Sequence, residues 1–589
     1  MDQRTPLLAT LALIGLPYSL AQADISHRKA DLTVQVQTVS GTPLEGATIQ
    51  IEMLNHAFRF GCAVEHHRID PESSGYDPFT VEQLQKHFNS MTYGNVMKWT
   101  YYEARSEEEN LALAALPKTL AAFDSPDALR LRGHVTVWGS SYQVPTRVRN
   151  SSDGDYIQQQ ILEHVSDYHA TFKDSGIDNF DLYNEHFHVP ELLIDKIADS
   201  SDTTAQAAKV AEWFNQAKAS DPEAVLFIND YNILNYWTDQ DEDVIAYKAF
   251  IDAVRDAGGQ IDGIGLQAHM DRPTTTKERV TRRLDILAAP MEPTANHPNG
   301  LPGLRLEITE LDMSVQNRFF DNSWGWPNPT MEEQVSVTQA VLEAAFEHPS
   351  VDGLTIWGLN DFDHWRGNSI MYDDLSDDDS GTTRTQIEPE LKATGQLWID
   401  KVEGEWWEDH EGLSSSSGSF AANTFKGSHR VTVTYQGESQ EAIVRIDSED
   451  TVTFEFSIDA LDATTYDEWS DRIDWLESSS ERDADPDADG VDNFSEFAFG
   501  TDPLAFDSPQ SPQFVTSDGV NYSIRYALRA ADSGIIADVM QSSDLVNWEY
   551  APRFERVYFP TIIDGFANYT VHLPLFETDL FYRIATKER

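Results

Sequence analysis

The sequence predicts an α/β protein: a (β/α)8 barrel of the TIM type, preceded by a small N-terminal β unit and followed by all-β accessory modules. Three observations point there. Between residues 58 and 402 a short apolar run followed by a longer helical stretch recurs eight times. At 589 residues the chain is too long for a single hydrophobic core, so several domains are expected. After residue 410 the βα rhythm gives way to a serine-rich segment and then to strands of alternating polarity.

The eight apolar runs cover residues 58–64, 90–99, 130–139, 177–185, 224–232, 261–269, 303–313 and 351–361. Val225-Leu226-Phe227-Ile228 and Leu354-Thr355-Ile356-Trp357 read as strands buried on both faces, as parallel barrel strands are. Ala205 to Ala219 and Met331 to His348 read as two of the intervening helices. A barrel of this kind carries its chemistry at the C-terminal ends of its strands.

Outside the barrel the divisions follow composition. Arg4, the apolar stretch Leu7 to Leu16 and the small residues of Ala21-Gln22-Ala23 form a secretory signal over 1–23, cut after Ala23. The apolar stretch is too short to span a bilayer, so a secreted protein, released or held at the cell surface, is expected. Residues 24–57 form the N-terminal β unit, with Leu32, Val34 and Val36 before a turn and Ile49 and Ile51 after it. Residues 403–457 read as a small β-sandwich-like module entered through the linker-like Leu413-Ser414-Ser415-Ser416-Ser417-Gly418-Ser419. Residues 458–504 combine a short acidic helix (464–480) with a candidate metal loop, and 505–589 form a C-terminal β-domain in which Trp548 reads as core.

The net charge of -57 argues against nucleic acid or an anionic membrane as partner. Cys62 is the single cysteine, so no intramolecular disulfide can form. Its apolar strand context predicts a buried, inert thiol.

Two segments carry the chemistry. Asp181-Leu182-Tyr183-Asn184-Glu185 ends the fourth run, and Ile308-Thr309-Glu310-Leu311-Asp312 lies near the end of the seventh. Retaining glycosidases need two such carboxylates, one to protonate the leaving oxygen and one to attack the sugar, about 5–5.5 Å apart.

The surrounding motifs occur in a telling order. Asn95-Val96-Met97-Lys98-Trp99, His134-Val135-Thr136-Val137-Trp138, Leu182-Tyr183-Asn184-Glu185, Asn229-Asp230-Tyr231-Asn232, Gly265-Leu266-Gln267-Ala268-His269 and Ile308-Thr309-Glu310-Leu311-Asp312 follow one another on successive strands. This resembles family 10 glycoside hydrolases, retaining endo-β-1,4-xylanases built on (β/α)8 barrels. The resemblance implies Glu185 as acid/base, Glu310 as nucleophile, His269 as a donor to Glu310 and Asn184 as the partner of the sugar 2-OH. It implies that Asn95, Lys98, His134, Trp138, Gln267, Trp357 and Trp365 hold the sugar on the non-reducing side. It implies xylan or a related β-1,4-glycan as substrate, with no cofactor for catalysis; a monomer is expected.

Two positions depart from the family pattern: Gly94 stands where a Glu precedes the second-strand Asn, and Gly139 where a His follows the third-strand Trp. Both departures touch the second sugar out and leave the chemistry in place. They keep open a decorated xylan or a β-glucan as substrate. A carbohydrate-binding protein that has lost catalysis is the alternative of another class. The acidic loop Asp373 to Asp379 reads as a solvated rim of the cleft.

Asp485-Pro486-Asp487-Ala488-Asp489-Gly490-Val491-Asp492-Asn493-Phe494-Ser495-Glu496 fits a twelve-residue EF-hand loop. Asp485, Asp487 and Asp489 would supply carboxylates, Val491 its carbonyl and Glu496 a bidentate carboxylate, with Asn493 at the water-mediated ninth position. Hard oxygen ligands at this spacing predict a structural Ca2+ ion.

Overall fold

The computed structural model describes residues 24–588 except 39–42, 236–240, 314, 316–328, 374–388, 436, 457–464, 472, 474, 476–478, 506–513, 518–520, 530–534, 552–554, 564–565 and 575–580. The signal segment and all of the acidic loop but Asp373 fall outside the described residues.

Each of the eight apolar runs contains a parallel strand: β1 (Arg59–Val64), β2 (Ser90–Tyr93), β3 (Arg130–Gly133), β4 (Asn179–Asn184), β5 (Leu226–Asp230), β6 (Gly263–Leu266), β7 (Arg305–Met313) and β8 (Val351–Ile356). Neighbours pair in chain order, and β8 pairs with β1 to close the barrel. Helices wrap it, with Thr203–Ser220 and Met331–Glu347 close to their expected bounds. Their starts are set by side chains that satisfy free backbone N–H groups. Asp202 accepts from Ala205 N, and Thr330 with Glu333 forms a reciprocal capping box.

The barrel interior is not purely apolar. Arg132 on β3 is buried between Asp181 on β4 and Glu307 on β7, with 3.0 Å from Nε to Glu307 Oε2. Arg59 reaches the same glutamate at 2.9 Å, and Asn179 donates to it at 2.7 Å. Asp181 also takes His134 Nδ1 at 2.9 Å, which links this charged layer to the cleft above. Although burial alone would raise its pKa, Arg132 and His134 hold the Asp181 carboxyl below the usual range. Cys62 on β1 is fully buried, and burial pushes its thiol pKa up, so the thiol is inert as expected.

Strand pairing corrects the division of the flanking regions. Composition separates 24–57 from 403–457, but their strands interleave. Lys29–Thr38 lies between Ser419–Phe425 and Asp450–Phe456, whereas Thr48–His56 lies between His410–Leu413 and Gly427–Tyr435, and Glu438–Ile446 extends that second sheet. The two N-terminal strands therefore belong to opposite sheets. Leu32, Val34, Val36, Ile49 and Ile51 have no core of their own and bury against Val431, Val433, Phe454 and Phe456. Segments that precede and follow the barrel in the chain thus form one sandwich. Arg28 ties it to the barrel by donating to the carbonyls of Phe346, His348 and Val351 at 2.7, 2.9 and 2.6 Å.

The serine-rich segment is likewise a tight structured turn and not a linker. Ser414 is buried, accepting from Ala47 N at 2.9 Å and donating to Leu44 O at 2.6 Å. The acidic helix is shorter than expected, Tyr466–Asp471, and the Trp475 indole bonds back to Ser470 O at 2.8 Å. Beyond it, the described C-terminal strands form a four-stranded and a three-stranded antiparallel sheet. Trp548 is half-buried, its ring 4.4 Å from the Arg583 guanidinium.

Candidate active site

A cleft of about 480 Å3 opens at the C-terminal ends of the strands. Asn95, Lys98, His134, Trp138, Asn184, Glu185, Gln267, His269, Glu310, Trp357 and Trp365 all line it.

Glu185 sits one residue past β4 with φ +60°, a left-handed conformation costing a non-glycine residue on the order of 1–2 kcal/mol. Three backbone bonds hold it there: Glu185 N to Asn229 O at 2.8 Å, and His188 N and Val189 N to Glu185 O at 3.3 and 3.1 Å. Its carboxyl accepts from Trp138 Nε1 at 2.7 Å, Gln267 Nε2 at 2.9 Å and Asn184 Nδ2 at 3.2 Å. Burial dominates and, helped by the charges of Glu310 and Asp230, outweighs these hydrogen bonds and raises its pKa to about 7.

Glu310 on β7 is surrounded by donors. Asn229 Nδ2 approaches Oε1 at 3.0 Å and His269 Nε2 approaches Oε2 at 3.2 Å. The other His269 nitrogen meets Asp312 Oδ2 at 2.8 Å. Burial would lower the pKa of this histidine, but Asp312 and Glu310 prevail and lift it to about 9. An imidazolium therefore donates to both carboxylates. Asp312 is fully buried and held well below the carboxylate range by His269, Arg366 and His364 against the opposing effect of burial. It also accepts from Trp365 Nε1 at 2.7 Å, which positions an indole that is otherwise 53% exposed.

The remaining walls are cationic and aromatic. Lys98 is buried, its Nζ 3.2 Å from Asn95 Oδ1 and 4.6 Å from the Trp138 ring centroid. Burial lowers its pKa despite the nearby Glu310, Glu185 and Glu65. His134 packs edge-on to Trp357 at 5.2 Å, and Tyr142 edge-on to Trp138 at 5.5 Å. The indole rings of Trp138, Trp357 and Trp365 give apolar faces suited to the C–H surfaces of a sugar.

Several residues in or directly behind the cleft wall have no role that the sequence alone shows. Asn229 and Asp312 lie inside the strand-end motifs and act from behind the wall, on Glu310 and His269. The two-residue period of a strand puts Asp312 on the same face as Glu310, and that was the available signal. Tyr142, Tyr231, His364 and Arg366 come from loops with no periodicity to betray them. Glu65 follows β1 directly, the same placement that singled out Glu185. At the departures, a Cβ on Gly139 would stand 2.2 Å from Val189 O, so loop backbone fills that side-chain space. A Cβ on Gly94 would stand 2.4 Å from Glu65 Oε1.

Of the metal-loop residues, Asp485, Asp487 and Asp489 converge, with acceptor oxygens within 4.8 Å of one another. Gly490 takes φ +95° at the sharp turn, Val491 N donates to Asp489 Oδ1 at 2.8 Å, and Glu496 is buried.

A closed barrel with two carboxyls facing one cleft, one with its pKa raised to about 7 and one flanked by donors, is the arrangement that barrel glycosidases use. Residues 50–383 match the model of glycosyl hydrolase family 10, and the chain belongs to that family. Among curated relatives it is 23% identical to endo-1,4-beta-xylanase 1 of Arabidopsis thaliana over 409 residues, 69% of this chain and 36% of that one. It is 28% identical to endo-1,4-beta-xylanase A of Thermotoga maritima over 323 residues, 54% and 28% of the two chains. It is 24% identical to the anti-sigma-I factor RsgI6 of Acetivibrio thermocellus over 420 residues, 70% and 46%. The chain spans less than half the length of each of these relatives. Among solved structures, a family 10 protein from Paenibacillus barcinonensis superposes with a TM-score of 0.44 at 21% identity, covering 59% of this chain and 96% of that one.

Proposed function

We propose that this protein is a retaining endo-β-1,4-xylanase that cuts xylan within its backbone. The observation that carries the reading is the division of labour between two cleft carboxyls. Glu185 keeps its proton to about pH 7, as a general acid must. Glu310 receives hydrogen bonds from Asn229 and from imidazolium His269, as an anionic nucleophile must. Glu310 attacks the anomeric carbon and forms the glycosyl-enzyme, while the Glu185 proton passes to the departing glycosidic oxygen. Glu185, now anionic, takes a proton from water, whose oxygen displaces Glu310 and leaves the sugar with its original anomeric configuration. Asn184, beside Glu185, meets the sugar 2-OH, and the cleft indoles and Lys98 position the rings. No step draws on a cofactor. The test is release of xylo-oligosaccharides from xylan by the wild type, Glu310→Gln and Glu185→Gln. Short oligosaccharides from the wild type alone support the reading. Release from barley β-glucan but not from xylan refutes the substrate, and full activity in Glu310→Gln refutes the mechanism.

We infer also that the loop from Asp485 to Glu496 holds a structural Ca2+ ion. The donor set fits: three carboxylates whose oxygens converge within 4.8 Å, one of them with a buried Oδ2, on Asp487, that has no protein partner among the described residues. Val491 O and Glu496 would complete an all-oxygen shell. Calorimetric titration of chelator-stripped protein with Ca2+ tests this, with an Asp485→Ala, Asp489→Ala double variant as reference. Equal heats from both would refute it. Residues 1–23 complete the reading as an export signal cut after Ala23, since a polymeric substrate is met outside the cell; N-terminal sequencing of exported protein checks the cut.

A further inference from the structure

We propose that Glu65 binds vicinal hydroxyls of the sugar unit one place beyond the cleaved residue, supplying from the first barrel strand a carboxylate that position 94 lacks. This rests on the xylanase reading.

Glu65 follows β1 directly and stands at the start of the short helix His66–Ile69, yet its side chain makes no capping bond there. It turns into the cleft instead, where Oε1 accepts from Asn95 Nδ2 at 2.9 Å. Asn95 Oδ1 in turn takes Lys98 Nζ at 3.2 Å. The three side chains make a continuous polar edge of the cleft, and among the described residues no hydrogen bond joins Glu65 to Glu185 or Glu310.

The fit with Gly94 is mutual. An added Cβ there would lie 2.4 Å from Glu65 Oε1 and 3.2 Å from its Cδ. Any side chain at 94 and the Glu65 carboxyl therefore compete for one space, and in this chain Glu65 occupies it. Its residue is half-exposed to the cleft, and among the described residues no protein donor meets Oε2. The Glu65 carboxylate, bonded through Oε1 to the Asn95 amide, with the Lys98 ammonium on the far side of that amide, presents acceptor and donors in one row. Paired sugar hydroxyls match that arrangement, since each hydroxyl can both donate and accept.

The experiment compares an aryl β-xyloside, which carries one sugar before the broken bond, with the aryl β-xylobioside, which carries two. Glu65→Ala is expected to cut kcat/KM on the xylobioside about 10- to 100-fold, the effect of losing hydrogen bonds to a charged group. The xyloside rate should stay within about twofold of wild type, as should the thermal midpoint. The swap Glu65→Gly with Gly94→Glu should recover most of the xylobioside rate, whereas Gly94→Glu alone should not match wild type. Equal losses on both substrates, no loss on either, or a swap no better than Glu65→Ala would overturn the proposal while leaving the xylanase reading intact. A wild type that cleaves neither aryl glycoside would overturn the xylanase reading, and the Glu65 proposal with it.

Discussion

Replacing Glu185 with glutamine should change how stability depends on pH, by an amount set by one buried carboxyl. In the folded protein, burial first and the Glu310 charge second hold its proton to about pH 7, against 4.5 for an ordinary glutamate. The unfolded chain releases that proton near pH 4.5. Between the two values the folded state binds more protons than the unfolded one, so stability falls as pH rises. The contribution of protonated Glu185 is fully present below pH 4.5 and is lost on going up through about pH 7. At 1.36 kcal/mol per pKa unit, the loss amounts to about 3 kcal/mol. Glutamine has no proton to lose. The stability of Glu185→Gln relative to wild type should therefore climb by about 3 kcal/mol between pH 4.5 and 7 and then level off. Urea unfolding of both proteins across pH 4.5 to 8 measures this, and the other titrating groups cancel in the difference. A difference that stays constant across that range would refute the reasoning.

The same proton sets the rate profile: kcat/KM should fall about tenfold per unit above roughly pH 7, as the general acid is lost, in initial rates measured on an aryl xylobioside. His269→Gln removes the cation that donates to Glu310, so kcat should drop on the order of 100-fold with KM little changed, read from the same assay. Arg132→Met leaves Asp181 and Glu307 buried without their shared partner. It should destabilise the barrel by about 3–5 kcal/mol in urea unfolding, whereas a surface substitution such as Lys209→Met should cost under 1 kcal/mol.

The barrel was legible because each strand is a compact apolar run and a helical stretch follows it, two of those helices, Thr203–Ser220 and Met331–Glu347, being capped by Asp202 and Thr330. Glu185 and Glu310 were legible because strand ends place chemistry in this fold. The sandwich was not, since pairing between residues nearly 400 apart, such as Gln35 with Ser419, leaves no local trace. Leu32 and Ile49 show that a strand has a buried face without showing what covers it. Ser414 to Ser417 misled for a related reason: serine suits a linker by composition, but here the Ser414 hydroxyl closes a turn against Leu44 and Ala47, and those of Ser415, Ser417 and Ser419 bond one another. Glu65 was hidden because the motif to which it contributes lies on the neighbouring strand, where the glycine reads only as a loss.

The central claim, that Glu310 attacks the sugar and Glu185 serves as its acid/base, is tested most directly by trapping the intermediate. A 2-deoxy-2-fluoro xylobioside with an activated leaving group slows breakdown of the glycosyl-enzyme, and peptide mass spectrometry locates the attached sugar. The account predicts one xylobiosyl adduct, on Glu310, and none in Glu310→Gln. An adduct on another residue, or turnover with inversion of the anomeric configuration and no adduct, would contradict it.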